Sequence, residues 1–132
     1  MNQVVARFKD GRIIKGRTND FLPAKEQFHL APDDAPPGAK ALEILVSDLK
    51  ALFFVKTLGG RPDHQKVNDF EHGKLAPGRK VVVHFKDGET LAGTTQGYQP
   101  NRPGFFLIPA DGDSNNERCF VVTASAKDVQ LL

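Results

Sequence analysis

A chain of 132 residues has room for one ordinary domain or two very small ones. Its 18 Lys and Arg against 16 Asp and Glu leave a formal charge of +2, too balanced to mark a nucleic-acid binder by itself. A lone cysteine, Cys119, excludes an internal disulfide, and no apolar run approaches the roughly 20 residues of a membrane-spanning helix.

The opening residues Met1-Asn2-Gln3-Val4 carry no basic segment followed by an apolar run, so no signal peptide is expected and a cytoplasmic location is the default. Val4 to Phe8 then alternates, with Val4, Ala6 and Phe8 on one face and Val5, Arg7 and Lys9 on the other, the period of a half-buried strand. Asp10-Gly11 follows as a hairpin signal, because glycine accepts positive φ without steric cost. A three-residue loop, Asp10-Gly11-Arg12, pairs Phe8 with Ile14 and Arg7 with Lys15, and keeps one face apolar. Gly16 lies inside the second strand, where a glycine marks a bend or a close backbone approach. A third strand is expected around Phe28-His29-Leu30. After the turn-rich Asp33–Gly38 stretch come closing strands at 41–47 and 49–55, linked by Ser47-Asp48.

The same order then recurs. Residues 4–32 and 81–109 align without a gap at an offset of 77, and 12 of the 29 positions are identical. Phe8-Lys9-Asp10-Gly11 returns as Phe85-Lys86-Asp87-Gly88, Gly16 as Gly93, Thr18 as Thr95, Pro23 as Pro100 and Phe28 as Phe105. The chain is therefore a duplication of one β unit. In the second copy the expected hairpin pairs Phe85 with Leu91 and His84 with Ala92. Its closing strands are expected at 119–123 and 127–132, around Ala124-Ser125-Ala126. The organisation is repeat one over 1–58, a junction over 59–80, and repeat two over 81–132. Gly59-Gly60-Arg61-Pro62 and Pro77-Gly78 punctuate the junction, which leaves room for a short helix over 63–72.

A Val-x-x-x-Phe-x-Asp-Gly strand and turn, an internal strand glycine, an aromatic five residues later (Phe21, Tyr98), a Phe-x-Leu strand and two closing strands resemble the Sm-like fold of Sm, Lsm and Hfq proteins. The resemblance implies an all-β protein of two tandem Sm-like (SH3-like), five-stranded, bent antiparallel barrels. In that family it also implies RNA binding around a ring. The residues that would carry the RNA site differ here. The family's Asp after the aromatic and Asn before the third strand are replaced by Leu22 and Glu26-Gln27, and by Gln99 and Pro103-Gly104. The fold is carried over and the RNA site is not.

Candidate contact residues then come from the surface. Arg7, Lys9, Lys15 and Arg17 would share the outer face of the first hairpin, a basic stripe able to meet phosphates, or simply a solvated strand face. The second copy replaces three of them with His84, Ala92 and Thr94. Asn101, Arg102, Asn115, Asn116 and Arg118 form the densest polar loops of that copy, and are expected to cluster. Asp111-Gly112-Asp113 begins like a calcium loop, but Asn116 and Val122 stand where that loop needs Gly and Glu, so a polar turn is expected. His29, His64, His72 and His84 lack zinc spacing, and no nucleophile or phosphate-loop motif occurs. No cofactor, metal or membrane is expected. Phe53-Phe54 and Phe105-Phe106 place an aromatic on each face of a strand, so one of each pair must pack outside its own barrel. The expected protein is a non-enzymatic binding or assembly module that meets a protein partner, or itself, through edge strands. RNA binding is the alternative.

Overall fold

A computed structural model describes residues 1–59, 70, 75–111 and 115–132. The first copy supplies β1 (Asn2–Phe8), β2 (Ile13–Thr18), β3 (Gln27–Pro32), β4 (Leu42–Leu45) and β5 (Leu49–Val55). The second supplies β6 (Arg79–Phe85), β7 (Thr90–Thr95), β8 (Gly104–Pro109), β9 (Asn116–Val122) and β10 (Ala126–Leu131). The links between the closing strands are single 3₁₀ turns, Val46–Asp48 and Thr123–Ser125. The fourth strands thus end at Leu45 and Val122, short of the expected 47 and 123. The helix expected over 63–72 lies outside the described residues apart from Phe70.

The repeated tetrapeptide closes each hairpin in the same way. Phe8 N–H donates to Arg12 O at 2.9 Å and Gly11 N–H to Phe8 O at 3.1 Å, while Gly11 takes φ +95°. Phe85, Gly88 and Glu89 repeat this at 2.8 and 3.0 Å, again with φ +95° at the glycine. The loop therefore has three residues, but they are Lys9-Asp10-Gly11. Ala6 faces Ile14 and Arg7 faces Ile13, correcting the expected Phe8–Ile14 and Arg7–Lys15 pairs. In the second copy Val83 faces Leu91 and His84 faces Thr90. A shift of two residues keeps every side chain on its face, so alternation cannot choose between these registers. The left-handed glycine as last loop residue chooses.

Gly16 and Gly93 mark close approaches. A Cβ on either would stand 2.1 Å from a carbonyl oxygen of the third strand, Ala31 O or Ile108 O. Each second strand thereby crosses hard onto its neighbour.

The ten strands pair antiparallel in the order β10-β6-β7-β8-β9-β5-β1-β2-β3-β4. The all-β class is as expected. Instead of two separate five-stranded sheets, the described strands form one open sheet, because β5 pairs with β9 across the copies. This strand pair also explains the Phe pairs. β5 is buried on both faces along its whole length. One core gathers Val4, Phe8, Phe28, Leu30 and Leu52 with Phe54, Phe120 and Val122. The other gathers Val81, Val83, Phe85, Phe105 and Leu107 with Ala51, Phe53 and Val121. Phe53 of the first copy thus packs in the second copy's core, and Phe106 of the second packs against the first copy's core. Burying both faces of β5 and β9 removes apolar area at roughly 25 cal/mol per Å² and welds the copies into one structure.

Candidate functional site

The joint leaves a groove of about 330 Å³ on the face opposite the first core. Its apolar surface is Val5 on β1 with Phe53 and Val55 on β5. Arg7 and Lys15, projecting from paired β1 and β2, stand on one side with Ile13; Asn115 and Asn116, entering β9, stand on the other. Leu58 and Glu89 complete it. The strand period places Val5, Arg7, Ile13, Lys15 and Arg17 on one face. The Arg7 guanidinium lies 5.4 Å from the Phe53 ring centre, a cation–π distance. Lys15 Nζ donates to Leu58 O at 3.2 Å. The Asn115 side chain accepts from Thr57 N–H at 3.0 Å and donates to Thr57 O at 2.8 Å, so it ties the end of β5 to the start of β9.

The expected site residues divide. Arg7, Lys15 and Arg17 do share the outer hairpin face, with Arg17 ion-paired to Asp33 at 3.5 Å. Lys9 does not: it is a loop residue, because the turn takes Lys9-Asp10-Gly11. It instead borders a separate cleft with Lys50, Phe85 and Lys86. Asn115 and Asn116 join the basic face across the groove. Asn101 and Arg102 line a different groove beside Pro23, Gln99 and Phe106, where Arg102 Nε donates to Gln99 Oε1 at 2.6 Å. Arg118 covers the first core, its guanidinium 4.3 Å from the Phe54 ring centre and 4.6 Å from that of Phe106. The loop cluster expected from the sequence is therefore split: Phe54 pairs with Arg118 and Val55 with Asn116, so a bulge at Glu117 turns Asn116 to the face opposite Arg118.

Lys50 is the residue the sequence reading passed over. It is the extra residue of a bulge, where Arg7 pairs with Ala51 and Phe8 with Leu49. It is buried, and its ammonium crosses the joint to Asp87 at 2.6 Å and to Glu89 at 2.5 Å, above the Phe85 ring. The signal available was a lone charge in the apolar run Leu49–Val55. Asp87 accepts Lys50 on one carboxylate oxygen and the Glu89 N–H on the other, at 3.0 Å. The Lys50 ammonium first, then the Glu89 amide, hold the Asp87 carboxyl below the usual carboxylate range. Asp10 occupies the same turn position and gives its two oxygens to Arg12, N–H and Nε.

One polar trio stands where chemistry would be sought. His29 Nδ1 lies 2.7 Å from Asp20 Oδ2, and Thr18 Oγ1 donates to Asp20 Oδ1 at 3.1 Å. The bond from His29 is the main cause of the lowered Asp20 pKa. In a nucleophilic relay the hydroxyl must meet the imidazole; here both meet the carboxylate, which is the geometry of a surface brace. Among the described residues no three His, Cys, Asp or Glu side chains converge as metal ligands. His64, His72 and residues 112–114 of the calcium-like loop lie outside the described residues.

A family of unknown function, DUF6982, matches the chain over residues 1–132. No curated protein and no solved structure matches it.

Proposed function

We propose, from the premise that the chain belongs to this family of unknown function, that it is a non-enzymatic binding module of two tandem Sm-like small barrels that share a sheet. We place its ligand in the inter-copy groove: an extended, acidic, partly apolar segment of a protein partner. Each copy's strand order, last-first-second-third-fourth, supports the tandem architecture. The observation that carries the ligand is the groove itself, with Arg7 and Lys15 above Val5, Phe53 and Val55, and Asn115 and Asn116 opposite. Its apolar floor gives alternate side chains of an extended segment a place to bury, and its cations select carboxylates. RNA is the second reading, favoured by the run of Arg7, Lys15 and Arg17 along one face.

Fluorescence anisotropy with an acidic peptide carrying alternate aliphatic residues, and in parallel with single-stranded RNA, tests this. Peptide binding that weakens about tenfold or more in Arg7→Glu/Lys15→Glu, while Arg102→Glu changes nothing, is the expected result. RNA binding alone, lost in the same variant, would favour the second reading. Binding indifferent to both substitutions would remove the groove from consideration.

A further inference from the structure

We infer that the two outer edges of the sheet are closed to further copies of this chain by residues that break the pattern of its own internal joint. The chain contains one worked example of copy meeting copy, β5 against β9. Among the described residues the sheet ends at β4 and β10, the other halves of that joint. Position-by-position equivalence is fixed by pairing. Phe28–Ile44 and Gln27–Leu45 on β3–β4 match Phe105–Val121 and Gly104–Val122 on β8–β9. Ala51 and Leu52 against β1 match Asp128 and Val129 against β6.

The inner joint is apolar on both faces. Ala51 and Phe53 enter the second core and Phe120 enters the first. At the equivalent outer positions stand Asp128, Gln130 and Glu43. In the inner register Leu52 faces Phe120 and Ala51 faces Val121. A second chain docked the same way would set its Glu43 against Val129 and its Ile44 against Asp128. Two carboxylates would then enter apolar cores, with only the imidazoles of His29 and His84 opposite them on the neighbouring strands. The charge key is also reversed. Lys50 meets Asp87 and Glu89; its equivalent, Lys127, would meet Asp10 and Arg12 of the next chain, and Asp10 is already paired with Arg12 at 2.8 Å. An ammonium would approach a guanidinium where the inner joint has a carboxylate. β4, at four residues, is short, a common device at sheet edges. Three separate changes thus bar the same joint: acid for aromatic on β4, polar for apolar on β10, and arginine for glutamate in the hairpin.

The test restores the inner residues at the outer edges: Glu43→Phe, Asp128→Ala, Gln130→Phe and Arg12→Glu, together in the full chain. Light scattering on the unaltered chain is expected to give 14.5 kDa at every concentration, and on the restored variant a mass that climbs with concentration. A folded variant that stays at the monomer mass overturns the inference. Hydrogen exchange on the unaltered chain decides independently, including where the variant fails to fold. Concentration-dependent protection of the β4 and β10 amides overturns it, and exchange there that is indifferent to concentration upholds it.

Discussion

At the residue scale, Lys50 shows how one buried charge is held by two that remain wet. Its side chain is 10% exposed, whereas those of Asp87 and Glu89 are 53% and 34% exposed. Removing the cation lets both carboxylates return to water; removing the carboxylates strands an ammonium under the joint. Lys50→Met should therefore change stability by no more than about 1 kcal/mol, whereas Asp87→Ala/Glu89→Ala should cost about 1–3 kcal/mol. Urea midpoints of the two variants check the asymmetry, and equal losses would refute it. A pH dependence follows. The folded Asp87 carboxyl titrates below its ordinary 3.8, so the stability it contributes is fully present above that value and is lost as pH falls through the folded value. Asp20, depressed by His29, acts in the same window and the same direction. Stability should be flat from neutral pH to about 5 and fall below 4. The fall should be shallower in Lys50→Met, where Asp87 loses the main cause of its shift and Asp20 keeps its own.

At the element scale, β5 and β9 decide what belongs to what. Phe53 and Phe54 are sequence neighbours in different cores. Phe53→Ala and Phe54→Ala should each cost about 3–5 kcal/mol, but with opposite signatures in methyl NMR. Phe53→Ala should move Val81, Val83 and Leu107 of the second copy and leave Val4 and Leu30 of the first near their places; Phe54→Ala should do the reverse. Shifts confined to the first copy in both variants would contradict the shared-core arrangement. The legibility of the chain follows the same elements. The hairpins, the strand glycines and the third strands could be read because Asp-Gly and an internal Gly carry a local backbone demand. The hairpin register could not, since Phe8 against Ile14 and Phe8 against Arg12 put the same side chains on the same faces. The Phe pairs announced that something covers the outer face of β5, but not what. The pairing of β5 with β9 is a long-range choice between apolar strands, with no turn between them to state it. For the same reason Asn115 could not be placed beside Arg7 in advance, nor Arg118 on the opposite face.

At the scale of the whole molecule, the shared strands tie the two copies into one sheet with two cores that both copies feed. Either copy taken alone would leave a strand with an aromatic face in water: Phe53 in the first, Phe106 and Phe120 in the second. Exposing such faces costs more than the few kcal/mol a unit of 50–60 residues has to spare. Unfolding should therefore be a single transition. The chain carries its own reporter: its one tyrosine, Tyr98, packs edge-on against Phe105 at 4.9 Å in the second core, and there is no tryptophan to obscure it. Urea titrations followed by Tyr98 fluorescence, which senses that core alone, and by far-ultraviolet circular dichroism, which senses the strands of both copies, should superimpose. They should still superimpose in Val4→Ala, which alters the first core: both curves should move to lower urea together, although Tyr98 packs against the other core. A dichroism curve that moves while the fluorescence curve stays would mean that the copies unfold independently, and that the β5–β9 pair joins two bodies without coupling them.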